Sequence, residues 1–379
     1  MFTPKIGGMD TSQLNTLTTQ VLWAAFILSM LFGAIAQRTH FCTMGAVSDI
    51  LNMGDWTRMR MWGMAIGVAM IGFYGMAAAG LIDPSKTLYA SNRFIWLSAL
   101  VGGSLFGFGM VLASGCGSKT LVRIGGGNLK SLVVFVVMGV AAFATLKGIT
   151  AVLRVATVDT VAVDFTSNAA LSNWAAGVAG VSPAMAGLAI ALLLGGGLIV
   201  WALVGPDFRS FDNLLAGLGI GALIAGMWWV SGQLGYVAEH PDTLQEAFLA
   251  TNSGRMEALS FVSPVAYTVD WIMFFSDKSK LLTIGIVAVF GVVVGSALYS
   301  LLSRSFRWEG FRDAEDTGNH LVGAVLMGVG GVTAMGCTIG QGLSGISTLS
   351  ATSFVAVAAI LAGCVAGVRY QVWRLERSV

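Results

Sequence analysis

Charge is scarce in this sequence. Asp, Glu, Lys and Arg make up 11% of its 379 residues, against about 25% in a soluble domain. So few charges cannot cover a water-facing surface of this length. Histidine is scarcer still. The chain has three, too few for a histidine-rich metal site. Its four cysteines include no Cys-x-x-Cys pair, which argues against a zinc site, a dithiol redox centre and a disulfide framework. Gly125-Gly126-Gly127 lacks the Lys-Ser/Thr context of a phosphate loop and reads as a turn. The net charge of +2 comes with no basic cluster that would suggest a nucleic-acid partner. Met1–Gln20 shows no basic stretch leading into an apolar core and no cleavage site, so the first apolar run is expected to be a retained helix. No cofactor is expected.

Apolar length and glycine are abundant instead. The chain is 56% hydrophobic and holds 50 glycines. Runs of roughly 20 apolar residues match the thickness of a bilayer core, and glycine lets membrane helices approach closely. The expectation is an all-α polytopic membrane protein embedded in a lipid bilayer as a single membrane domain. Nine spans are placed at about 19–37, 61–81, 95–115, 131–147, 184–204, 213–235, 280–302, 318–336 and 351–368. The stretch 38–57 and those after Cys116 and Cys337 are too short to span and read as re-entrant helices. The more polar segments 148–182 and 236–279 carry Trp and Tyr suited to an interface. With the N-terminus outside, thirteen Lys and Arg fall on the cytoplasmic side, including Arg38, Lys119 and Lys130. Eight, including Lys5, fall on the other. The positive-inside rule therefore places the N-terminus out and the C-terminus in.

Residues 100–116 align without gaps on 321–337, with ten identities in seventeen positions, among them Gly102/Gly323, Gly109/Gly330 and Cys116/Cys337. Span three runs inward and span eight outward, so these segments are expected to be antiparallel. That makes inverted repeats, 19–147 and 213–368, joined by a linker, 148–212, containing span five. Loops entering from opposite faces would give an hourglass-like pathway with a thiol at each approach.

Three cysteines stand where apolar runs break: Cys42 in QRTHFCTMGA, Cys116 in SGCGSK and Cys337 in MGCTIGQG. A free cysteine is ordinarily a small buried hydrophobe, and that reading is kept for Cys364, mid-helix among Ala and Gly. Cys116 and Cys337 recur in the repeat. Cys42 has no evident mate, and 236–279 reads as an insertion. Nucleophilic catalysis needs a base nearby, and neither Cys116 nor Cys337 has a local histidine or carboxylate. A soft, weakly donating thiol suits a sulfur-bearing anion. Lys119 and Arg123 follow Cys116 at helical spacing and can supply positive potential, as can the N-termini of short helices. Their alternative role is cytoplasmic anchoring. Gln341, Thr338 and Ser344 line the pathway or satisfy re-entrant backbone. The charged stretch 303–316 reads as a solvated loop.

With QRTHFCTMGA, FGFGMVLASGCGSKTLVRIGGGNLKSL and MGVGGVTAMGCTIGQGLSG, the chain resembles the YeeE/YedE family of bacterial inner-membrane sulfur transporters. The resemblance implies thiosulfate uptake rather than enzymatic turnover. It also implies nine spans, inverted repeats and an hourglass shape. Cys42, Cys116 and Cys337 would pass thiosulfate along by S–H···S hydrogen bonds, with Cys116 central, and a TusA-type soluble sulfurtransferase would be a cytoplasmic partner. Another sulfur or selenium compound, or sulfur transfer by a membrane thiol enzyme, are the alternatives.

Overall fold

A computed structural model describes residues 10–241 and 243–377; Lys5 lies outside them. In chain order the helices are α1 (Thr11–Thr39), α2 (Thr43–Met53), α3 (Thr57–Ala78), α4 (Trp96–Leu112) and α5 (Gly117–Gly125). Next come α6 (Leu129–Lys147), α7 (Ile149–Ala156), α8 (Leu171–Ala179), α9 (Pro183–Val204) and α10 (Phe211–Leu234). The last are α11 (Ser263–Met273), α12 (Ile284–Leu302), α13 (Ala314–Thr333), α14 (a π-helical turn, Gly340–Gly345) and α15 (Ala351–Arg377). Among the described residues, strands pair in two short ribbons, Arg93–Phe94 with Val163–Asp164 and Tyr236–Val237 with Ala247–Phe248.

The nine expected spans coincide with α1, α3, α4, α6, α9, α10, α12, α13 and α15. Among the described residues, eight helical stretches are long and apolar enough to cross a membrane. Helix α13 has the length, 20 residues, but its first two turns carry Glu315, Asp316 and His320. Part of the expected 303–316 loop thus belongs to a helix, whose start is capped by the Asp313 carboxylate accepting from the Asp316 amide at 2.7 Å. Lys130, counted with the cytoplasmic cations, is buried and held by Asp316 at 3.0 Å and Glu309 at 3.5 Å.

The protein has an N-terminal face, where α1 begins and the 79–95, 148–182 and 236–283 segments gather. Leu14 and Leu17 of α1 pack there against Val237 and Leu249. On the opposite, C-terminal face, Gly126 and Gly127 hydrogen-bond the 307–309 backbone and Arg374 pairs with Glu315. Helix α7 carries apolar side chains that stand free, Ile149 at 84% and Val152 at 71% exposure. This suits a helix lying in a membrane interface.

Helices α4 and α13 cross antiparallel, and the repeated glycines make the crossing. A Cβ built at Gly109 would stand 2.8 Å from the Gly323 carbonyl oxygen. One at Gly330 would stand 2.6 Å from the Gly102 carbonyl oxygen. The duplication equates Gly102 with Gly323 and Gly109 with Gly330. Each glycine therefore meets the other one's counterpart, as a two-fold axis requires. The relation extends outward. Helix α1 packs on α12 as α10 packs on α3. Helix α2 packs on α3 and α15 as α11 packs on α12 and α6.

That pattern corrects one expectation. The 236–279 segment is not wholly an insertion. The offset of 221 residues between Cys116 and Cys337 carries Cys42 onto Ser263, and α2 onto α11. The second half has its own short helix at this position. Serine replaces the cysteine, which is why no mate is visible in the cysteine pattern.

Candidate functional site: three thiols at converging helix ends

The three cysteines share one local design. Two residues before each stands a non-glycine residue in the left-handed region: His40 at φ 53°, Ser114 at φ 57° and Met335 at φ 58°. In the repeated pair the preceding helix closes identically. Ser114 N donates to Val111 O and Gly115 N to Met110 O; Met335 N donates to Val332 O and Gly336 N to Gly331 O. These are Schellman-type closures, which satisfy the last carbonyls and turn the chain sharply. The cysteine then starts a new, short helix. Cys42 caps α2, with its Sγ accepting from Gly45 N at 3.4 Å. The Cys337 Sγ accepts from Gly340 N, also at 3.4 Å. Cys116 precedes α5, and its Sγ lies 3.2 Å from Ser118 Oγ. A sulfur that accepts from backbone still has its S–H to donate.

The starts of four short helices meet. Gly117 of α5 lies against Phe261, just before α11. Thr43 of α2 and Thr338, leading into α14, line one small cavity of about 60 Å³ with Trp62. Cys42 is within electrostatic reach of Cys116, and Cys116 of Cys337. Two helices come from each face, and their positive ends aim at this meeting point. It is the arrangement by which broken helices hold anions inside membranes.

The cations divide into two groups. Arg38 pairs with Asp212 at 2.8 Å and Arg58 with Asp49 at 3.2 Å, while Arg60 lies over the Trp201 ring. These side chains anchor the C-terminal face. Lys119 and Arg123 form no ion pair among the described residues. Lys119 sits within reach of both Cys42 and Cys116, and Arg123 within reach of Cys42. The centre is thus electropositive without a balancing carboxylate. The thiols are closed off: Cys42 is 6% exposed, Cys116 1% and Cys337 0%.

Gln341 is drawn into the site as a brace. Its Nε2 donates to Ala334 O at 2.6 Å across the Cys337 loop, and its buried Oε1 has no partner. Ser344 ties α14 to Leu259 O at 2.7 Å. Thr338 Oγ1 is buried without a partner. Cys364, set apart by sequence, is fully buried in α15, yet within electrostatic reach of Cys42 and Cys116.

Two neighbours were not legible beforehand. The Tyr89 hydroxyl donates to Gly340 O at 2.5 Å, over 251 residues of sequence. Gly340 therefore binds the Cys337 thiol through its amide and Tyr89 through its carbonyl. Tyr89 also walls a cavity of about 320 Å³ on the N-terminal face, lined by Met335, Ser260, Ser263 and Glu257 among others. Nothing in the loop around Tyr89 marks it; Ser263 was readable only through the repeat offset.

The chain is 28% identical over 331 residues to the thiosulfate transporter TsuA of Escherichia coli K12, covering 85% of this chain and 87% of that protein. It is 26% identical over 353 residues to the thiosulfate transporter TsuA of Spirochaeta thermophila, covering 89% and 94%. A shorter match, 27% over 117 residues, joins 31% of the chain to 27% of the probable transporter YedE of Escherichia coli K12. The family model described as sulphur transport matches residues 38–366, a stretch that takes in all three thiol loops and the glycine crossing, and the chain belongs to that family of membrane transport proteins.

Proposed function

We propose that this protein takes up thiosulfate across the bacterial inner membrane, along a path through Cys337, Cys116 and Cys42. The N-terminal face would be periplasmic and the C-terminal face cytoplasmic, as the distribution of Lys and Arg favours. The observation that carries the reading is the meeting of three thiols and four helix starts beside the unpaired Lys119. The names of the two long matches support the substrate.

Thiosulfate has one soft terminal sulfur, three oxygens and two negative charges. The helix ends and Lys119 offset the charge, and Arg123 extends the field toward the C-terminal face. The terminal sulfur accepts weak S–H hydrogen bonds, from Cys337 first, then Cys116, then Cys42. Weak, serial contacts admit an ion without trapping it. Because the thiols are buried, passage requires the loops around them to part. The inverted halves, 19–147 and 213–368 about the 148–212 linker, would present equivalent loops from each side. A TusA-type sulfurtransferase would receive the product at the C-terminal face.

Uptake of sulfur-35 thiosulfate into cells or proteoliposomes tests this. Cys116→Ala is expected to abolish uptake while still inserting in the membrane, since alanine removes the S–H with little change of volume. Cys42→Ala and Cys337→Ala are expected to impair uptake and Cys364→Ala to preserve it. Full uptake by Cys116→Ala would overturn the thiol route. No uptake by the wild type would overturn the substrate.

A further inference from the structure

The cavity of about 320 Å³ on the N-terminal face leads down to the Cys337 loop, and its charges do not suit an anion. Arg154 lines it, but its Nε pairs with Asp159, another lining residue, at 3.0 Å. The remaining charged lining residue is Glu257, which forms no ion pair among the described residues. Its Oε1 accepts from the Ser253 amide at 2.8 Å. With Glu257 ionised the cavity carries a net negative charge; with Glu257 protonated it is neutral. A doubly charged oxyanion is repelled in the first case.

Glu257 is also mechanically close to the thiol. Two residues on, Leu259 O receives the Ser344 hydroxyl, and Ser260 lies against Gly340, whose amide binds the Cys337 sulfur. Tyr89 faces Glu257 from the 79–95 segment, and Tyr267 from α11. Arg154 and Asp159 face the cavity from α7 and the turn after it. Asp270, further along α11, is engaged by Lys280 at 2.5 Å. Of the nearby cations, Arg255 donates to Ala90 O at 2.9 Å and Arg93 to Asp159 O at 2.7 Å, and neither pairs with Glu257 among the described residues.

Resting on the thiosulfate reading, we propose that Glu257 is a proton-binding site, and that the sulfur oxyanion occupies this cavity together with a proton on that carboxyl. Burial pushes the Glu257 carboxyl above the usual carboxylate range, against the lowering effect of the Ser253 and Asn252 hydrogen bonds. The sign follows. A raised carboxyl is protonated on the acid side of its pKa, so binding strengthens as the pH on this face falls. Above that pKa, apparent affinity drops by at most about tenfold per pH unit for one linked proton.

The test uses the full chain. Thiosulfate binding and initial sulfur-35 uptake at subsaturating thiosulfate are measured from pH 5 to 8.5 for the wild type, Glu257→Gln and Glu257→Asp. The wild type should lose affinity with rising pH. Glu257→Gln should be flat and should exceed the wild type by roughly three- to tenfold at the alkaline end. Glu257→Asp should keep a slope. Independently of any variant, calorimetry in two buffers of different ionisation enthalpy should show proton uptake when thiosulfate binds the wild type. A wild-type slope retained in Glu257→Gln, or binding without proton uptake, would overturn the proposal. If Glu257→Gln fails to fold, the wild-type calorimetry decides. Absence of thiosulfate binding or uptake by the wild type at every pH would sink the substrate reading instead, so the two failures are distinct.

Discussion

Replacing Gly323 by alanine tests whether the duplicated glycines set the distance between the two halves. The new Cβ would stand 2.6 Å from both Ala113 N and Gly109 O, and 3.0 Å from the Ala113 Cβ. Two of these neighbours are backbone atoms, Gly109 O in α4 and Ala113 N at its C-cap, which cannot rotate aside, so the helices must separate. Overpacking of this kind costs about 1–3 kcal/mol. Alanine also gains up to about 1 kcal/mol in helix propensity over glycine, which masks part of the loss. Gly318 in the same helix supplies the reference, because a Cβ there meets nothing within 4 Å. The propensity gain is common to both variants, so their difference isolates the crossing. Gly323→Ala should be less stable than Gly318→Ala by about 1–3 kcal/mol. Gly102→Ala, its repeat counterpart, should behave alike. Thermal unfolding in detergent reads the difference. Equal midpoints for Gly323→Ala and Gly318→Ala would refute the argument that this contact fixes the crossing.

Other expectations concern the site itself. Lys119→Gln should lower thiosulfate uptake roughly tenfold or more at low substrate, since an uncompensated charge near a buried anion is weakly screened. Lys119→Arg should recover much of it, and equal uptake by all three proteins would argue that Lys119 is an anchor. Tyr89→Phe leaves the Gly340 carbonyl without its donor, at a cost of about 1–3 kcal/mol. It should lower the unfolding midpoint and slow uptake. A variant identical to the wild type in both would remove Tyr89 from the Cys337 support.

The membrane class and the positions of the long helices were readable from the sequence, because a bilayer demands long apolar helices whatever surrounds them; eight of the nine expected spans are both long and apolar enough to cross. So was the relation between Cys116 and Cys337, carried by a gap-free alignment. Their antiparallel sense followed from counting spans, and the α4–α13 crossing agrees with it. Helix α11 was missed because its first residue is Ser263 rather than cysteine and its surroundings are polar enough to pass for an insertion. The solvated reading of 303–316 failed at its end. Local charge pattern does not reveal that Asp316 and Glu309 have a buried partner in Lys130, far away in sequence.

What the sequence by itself determined is local and periodic: where helices run, where they break, and which three breaks carry a thiol. What tertiary structure decided is which charges cancel and which do not. Arg38, Arg58 and Lys119 are alike as cations near cysteine motifs. Folding brings carboxylates to the first two and leaves Lys119 among converging helix starts. It also places Tyr89 on the Cys337 loop, and in the cavity above it Glu257 without an ion-pair partner among the described residues. The physical reason is range. Helix formation depends on neighbours a few residues apart, whereas the potential at a buried point sums groups that only packing brings together.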